Sequence, residues 1–169
     1  MGDLLDRLRR GLVKAPGWRD LAELGLAGVA LTVLVGPAGL TTGLLHWAPR
    51  PLQLGPALGI IVVPALGEEL MFRGPWIPDR TEPASPWPAI LATTAAFCLW
   101  HVLETAWLPK AAPLFLRPDF PAWTVLLGLT CAILRRRSGS LWPPVILHWA
   151  AVLAWETWLG GPSGIQALR

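Results

Sequence analysis

The chain has 169 residues, 53% of them hydrophobic and only 15% charged, with a formal net charge of +3. Soluble domains carry about a quarter charged residues, so the composition argues against a water-soluble domain and for an integral membrane protein. The basic residues gather in Arg7-Leu8-Arg9-Arg10 and Arg135-Arg136-Arg137 beside apolar segments, which suits anionic lipid headgroups and leaves no spread basic face for nucleic acid.

In chain order, residues 1–20 form an amphipathic lead-in with Asp3, Asp6, Arg7, Arg9, Arg10 and Lys14 but without the small-residue cleavage site of a secretory signal. Apolar stretches follow at 22–47, 54–73, 87–107, 120–134 and 141–159. Most approach the ~20 residues that cross ~30 Å of hydrocarbon, and the short fourth one borrows Pro113 to Pro121 as an interfacial turn. Hydrocarbon offers no water to an open strand edge, so these segments are expected as helices. The expected fold is all-α, a polytopic integral membrane helical bundle of about five transmembrane helices, forming one domain over residues 1–169. Between the second and third spans, Pro75, Pro78, Pro83, Pro86 and Pro88 mark a turn-rich connector.

Eleven Trp and no Tyr are present, and most of the Trp, Trp18, Trp47, Trp76, Trp87, Trp107, Trp123 and Trp142 among them, fall at span ends as an interfacial belt. Trp100 and Trp149 each adjoin a histidine, where a ring either walls a cavity or faces lipid. Cys98 and Cys131 lie in apolar runs and read as reduced packing residues. With the amino terminus inside, ten Lys and Arg fall on the cytoplasmic side, against Arg50, Lys110, Arg117 and Arg169 on the other. The bias places the amino terminus in the cytoplasm.

Charge inside the second span carries the chemical reading. Glu68-Glu69-Leu70-Met71-Phe72-Arg73 sets two carboxylates and a guanidinium in an apolar stretch, where each costs roughly 2.5 to 3.5 kcal/mol to insert. Glu69 and Arg73, four apart, share a helical face, whereas Glu68 lies about 140° round from Arg73. Glu69 is therefore expected to pair with Arg73, leaving Glu68 to face a cavity as general base; a structural charge cluster at the membrane edge is the plain alternative. Phe97 and His101 are likewise four apart on the third span, and His148 follows Gly139-Ser140-Leu141-Trp142-Pro143-Pro144 in the fifth. Either histidine alone fits a helix-to-helix hydrogen bond as well as a catalytic group.

Taken together, Glu68-Glu69-x-x-x-Arg73, Phe97-x-x-x-His101 and His148 in its Gly-Ser-Leu-Trp-Pro context resemble, in order and spacing, the three motifs of the CAAX-protease and bacteriocin-processing (CPBP, or Abi) family of intramembrane endopeptidases. The resemblance covers residues 54–155, the expected catalytic core. It implies that Glu68 and His101 activate a water for attack on a peptide bond of a membrane-associated peptide or protein tail. It further implies that His148 holds the oxyanion, with Glu69, Arg73 and Phe97 in support. The family usually has Asn or Asp four residues after that histidine, and here Val152 stands there. Losing one oxyanion donor costs about 10² to 10³ in rate; an indole N–H from Trp149 or Trp100 is a substitute, and Glu156, about 80° round the helix from His148, is a poor one.

The resemblance implies hydrolysis without a cofactor. The alternative is Zn²⁺ on Glu68, His101 and His148, although the paired glutamates do not supply the two-histidine face of zincin helices. A rival of another class is a non-catalytic membrane binding or immunity protein on the same scaffold. Transport is disfavoured because the polar groups gather in one region instead of lining several spans. A short chain rich in Trp and Pro suggests a bacterial plasma membrane, and the small-residue stretches Gly25 to Gly28 and Gly36 to Gly39 leave the oligomeric state open.

Overall fold

The computed structural model describes residues 2–162; Arg169, counted above in the charge bias, lies outside the described residues. Eight α-helices are present among them, and no strand. They are α1 (Gly2–Val13), α2 (Trp18–Thr42), α3 (Leu54–Ile60), α4 (Gly67–Phe72), α5 (Trp87–Glu104), α6 (Ala112–Phe115), α7 (Phe120–Ser138) and α8 (Trp142–Trp158), with a π-helical turn, Ile61–Leu66, between α3 and α4.

Two segments, Trp18–Thr42 and Leu54–Phe72, are long and apolar enough to cross a membrane. At 1.5 Å per residue, the 18 residues of α5 and the 17 of α8 rise about 27 and 25 Å, slightly less than the ~30 Å hydrocarbon core. The exterior is apolar: Leu26, Val29, Val33 and Leu34 on α2 and Leu91, Leu99 and Leu103 on α5 are all exposed. Such a surface is stable against acyl chains and unstable against water.

The second span is not one continuous helix, as its unbroken hydropathy suggests. Val63 has extended backbone angles (φ −135°, ψ 119°) between α3 and α4. Pro64 explains the break, because its ring disfavours helical angles at the residue before it and it has no N–H to donate. The first span starts four residues earlier than expected and ends at Thr42, where Gly43 takes φ +72° to cap the helix. Prolines fill the connector before α5 and open α5, α7 and α8 at their first turns, where a missing N–H costs nothing.

Helix α7 is central, packed against α5 on one side, α8 on another and α2 on a third. Cys131, Leu134 and Leu147 form a core against Leu24, Ala27, Leu31 and Leu127, and Ile77, Ile90 and Ala132 form a second. Both cysteines are free thiols, in keeping with a packing role. Where α5 crosses α7, Gly128 allows close approach: a Cβ there would meet Arg73 Nη2 at 3.0 Å and Phe97 Cδ1 at 3.2 Å.

The lead-in is a helix, α1, folded against the turn between α7 and α8. Leu141 N–H donates to Gly11 O at 2.8 Å, Trp142 Nε1–H to Leu12 O at 3.0 Å, and Ser140 Oγ–H to Lys14 O at 2.6 Å. Arg7 grips Glu82 in the connector with two donors, at 3.1 and 2.5 Å. These bonds hold the Glu82 carboxyl below its ordinary range against the opposing cost of burial. At the other end of the bundle, the extended segment 46–50 runs beside the end of α8. His46, Ala48 and Arg50 donate their backbone N–H groups to Leu159, Trp158 and Thr157, satisfying carbonyls that the helix end leaves without partners.

Candidate active site

Three elements converge behind the break in the second span. Helix α4 brings Glu68, Glu69 and Arg73, α5 brings Phe97, Trp100, His101 and Glu104, and α8 brings His148 and Val152. The i,i+4 spacing on α4 puts Glu69 and Arg73 together: Arg73 Nη1 donates to Glu69 Oε1 at 3.1 Å, with both side chains fully buried. Glu69 Oε1 also meets His148 Nδ1 at 3.0 Å. A carboxylate held by a guanidinium can only accept, so Nδ1 carries the proton and the ring presents Nε2 on its other side. That side faces Glu68, whose Oε2 lies 3.7 Å from Nε2.

His101 is oriented in a parallel way. Its Nδ1 lies 2.9 Å from the Phe97 carbonyl one turn earlier, and a carbonyl only accepts, so this nitrogen donates and Nε2 is left for the site. Phe97 is 1% exposed and separates the polar groups. Its ring lies 4.3 Å from the Arg73 guanidinium carbon, and its edge-to-face contacts with His101 and His148 have centroids at 4.7 and 5.8 Å. Cation and rings thus stabilise one another through the ring quadrupole.

The structure therefore brings Glu68, His101 and His148 to one place, with Glu69, Arg73 and Phe97 behind them. They open on a cleft of about 910 Å³ whose lining includes Glu68, His101, Glu104, His148, Val152 and Glu156. A smaller apolar cavity of about 250 Å³, bounded by α2, α7 and α8, reaches the same two histidines from the other side. Glu68 Oε2 is buried with no hydrogen-bond partner among the described residues, so this lone pair is available to a molecule in the cleft.

Glu104 is a member that the sequence reading does not include. One ligand atom each from Glu68, His101 and Glu104 fall within 4.8 Å of one another. Among the described residues this trio has the ligand spacing to hold a metal, with Glu104 in the place that the zinc alternative gives to His148. The signal is His101-x-x-Glu104, three apart on one helical face; its position at the end of α5 makes it look like an ordinary interfacial acid. Of the two indoles named as substitute oxyanion donors, Trp149 is committed, donating Nε1–H to Ala57 O at 2.8 Å. Trp100 Nε1 is buried without an acceptor at hydrogen-bond geometry.

A buried carboxylate and an imidazole that share an open cleft can take a proton from water between them and direct its oxygen at a carbonyl carbon. Residues 50–154 match the family model described as type II CAAX prenyl endopeptidase Rce1-like. No curated protein and no solved structure matches the chain.

Proposed function

This chain belongs to the Rce1-like family of type II CAAX prenyl endopeptidases, and on that premise we propose that Glu68 and His101 activate a water to hydrolyse a peptide bond in a membrane-associated peptide or protein tail. The water oxygen bonds to the carbonyl carbon while its proton passes to Glu68. The carbon–nitrogen bond then breaks and Glu68 returns the proton to the leaving nitrogen, restoring its carboxylate. His101 accepts from the same water through Nε2. His148, anchored by Glu69, holds the oxyanion when its Nε2 carries a proton. The observation that carries this reading is the unpartnered Glu68 Oε2 on a cleft shared with His101 and His148.

The whole chain acts as one membrane domain with about five spans, α5, α7 and α8 joining the two segments of full length, and residues 54–155 carry the catalytic core. It sits in a bacterial plasma membrane with α1 on the cytoplasmic face. No cofactor enters the cycle; zinc on Glu68, His101 and Glu104 is the alternative, and cleavage retained after exhaustive chelation excludes it. The direct test is hydrolysis of quenched prenylated peptides by purified protein in detergent. Wild-type cleavage with a Glu68→Ala rate at background supports the reading, and equal rates overturn it.

Val152 favours a second reading, a non-catalytic binding or immunity protein on this scaffold. It predicts that Glu68→Gln and His101→Ala preserve the cellular phenotype while disruption of the Glu69–Arg73 pair abolishes it.

A further inference from the structure

Glu104 stands where a carboxylate is costly. It ends α5, so its charge meets the negative end of the helix dipole. It is partly buried and shares the cleft with Glu68, whose like charge opposes it. Among the described residues no Lys, Arg or His forms an ion pair with it.

A cation in the cleft removes that cost, and the geometry selects its kind. One ligand atom each from Glu68, His101 and Glu104 lie within 4.8 Å of one another. Three points so spaced share a centre within about 2.8 Å of each, and zinc bonds to imidazole nitrogen and carboxylate oxygen are about 2.0 to 2.2 Å, so shifts below ~1 Å per side chain close a three-ligand site. Two further features prepare it. His101 Nδ1 donates to the Phe97 carbonyl at 2.9 Å, the outer bond that fixes the tautomer and ring orientation of metal-binding histidines. Glu68 Oε2 is buried without a hydrogen bond, and the Trp100 indole lies close to both carboxylates, where it can hold an oxygen turned away from the ion. One imidazole and two carboxylates with an open fourth position form a donor set for Zn²⁺, whereas Ca²⁺ takes six or more oxygens and Mg²⁺ a near-ideal octahedron.

We propose that Glu68, His101 and Glu104 form an inhibitory Zn²⁺ site. The bound ion occupies the Glu68 lone pair and the His101 Nε2 that the hydrolytic water needs, and the enzyme is switched off until the ion leaves. The inference rests on the endopeptidase reading above and adds to it a regulation of the same site, with Glu104 as a ligand that the hydrolytic cycle does not use. A zinc cofactor on these residues would have the opposite sign, because chelation would then abolish hydrolysis.

Cobalt(II), a spectroscopic stand-in for zinc, reads the site without any substrate. Chelator-treated protein in detergent is titrated with Co²⁺, and one equivalent is expected to develop visible d–d absorption that added Zn²⁺ bleaches. Glu104→Gln should weaken binding at least about 10- to 100-fold, the loss that outer partners alone produce, while His148→Ala leaves it within a few-fold. Glu104→Cys should keep the site and add a near-ultraviolet thiolate-to-metal band, a gain of signal that the wild type, with its two free thiols, does not show. No cobalt spectrum in the wild type, unchanged affinity in Glu104→Gln or no new band in Glu104→Cys overturns the site. Quenched peptides then give the sign: hydrolysis is expected to be full after chelation and to fall about 100-fold or more at saturating Zn²⁺, since general-base assistance is lost. Hydrolysis that requires the ion, or ignores it, overturns the inhibitory role. Metal binding with no hydrolysis under either condition would refute the endopeptidase reading and leave the metal site standing.

Discussion

Val152 lies one helical turn beyond His148 on α8 and lines the same cleft. On the proposed mechanism, an aliphatic side chain there offers the oxyanion nothing, which leaves His148 without a partner from its own helix. Val152→Asn is expected to raise kcat by about 10- to 100-fold, a conservative part of what one oxyanion donor contributes, with little change in KM. Steady-state hydrolysis of a quenched peptide checks this, and a kcat unchanged or lower than wild type argues that the missing donor is not what limits the rate.

Trp100 holds the other indole N–H in reach of the site, close to the Glu68 and Glu104 carboxylates but without a hydrogen bond of standard geometry, whereas Trp149 makes one to Ala57. Trp100→Phe keeps the ring and removes the donor. We expect kcat to fall about 10-fold or more if this N–H stabilises developing charge, whereas Trp149→Phe lowers thermal stability through the lost bond to Ala57 and leaves kcat nearly intact. The reverse pattern would exchange their roles.

The Glu69–Arg73 pair has 0% exposure on both sides. Removing one partner leaves the other as an uncompensated buried charge, so Glu69→Gln and Arg73→Met should each cost about 3 to 5 kcal/mol. The double variant should cost less than the sum of the two. Thermal unfolding in detergent reads both effects. Glu69→Gln also leaves His148 Nδ1 only a neutral amide oxygen to donate to, so its residual activity should fall further than its stability alone explains.

Close approach of α5 and α7 depends on Gly128, where an added Cβ would press on Arg73, Phe97 and Thr94 at 3.0 to 3.2 Å. Arg73 is pinned by Glu69 and Phe97 is edge-on to both histidines, so neither yields easily. Gly128→Ala is expected to lower the melting temperature and to reduce kcat together, whereas Gly25→Ala, where nothing lies within 4 Å, should do neither.

The Arg7–Glu82 clasp gives a pH dependence with a definite sign. The folded-state carboxyl titrates below the unfolded value because Arg7 donates to it. Its contribution is therefore complete above the ordinary Glu range near 4.3 and is lost as pH falls through the lowered folded value. Docking of α1 should be unchanged across the neutral range and loosen only as pH falls below the ordinary Glu range, as amide exchange along residues 2–13 would report. Glu82→Gln should show the loosened state at neutral pH; protection of α1 that persists in this variant would assign the docking to the remaining bonds, those of Leu141, Trp142 and Ser140 among them.

What could be read from the sequence followed from length and spacing. Apolar runs located the helices to within a few residues, because burial in lipid leaves the backbone no alternative, and the spacing of Glu68, Glu69, Arg73, Phe97, His101 and His148 was enough to indicate the family that the chain belongs to. The same spacing anticipated the contact between Glu69 and Arg73, a local i,i+4 event. It did not anticipate that Glu69 also holds His148, since that bond joins residues 79 apart. Glu104 escaped notice for a similar reason: it looks like an ordinary interfacial charge until the packing of α5 turns it toward the cleft. The break at Val63 was signalled by Pro64 but masked by a hydropathy profile that treats proline as merely apolar.

That break has a consequence for how a hydrolase embedded among acyl chains obtains its co-substrate. Peptide groups released from helical pairing at such a depth persist only beside protein or moisture, and Val62, Val63 and Pro64 border the cleft. On the proposed hydrolase reading, the kink is where solvent enters an otherwise oily shell to reach Glu68, and the scissile bond takes that water up.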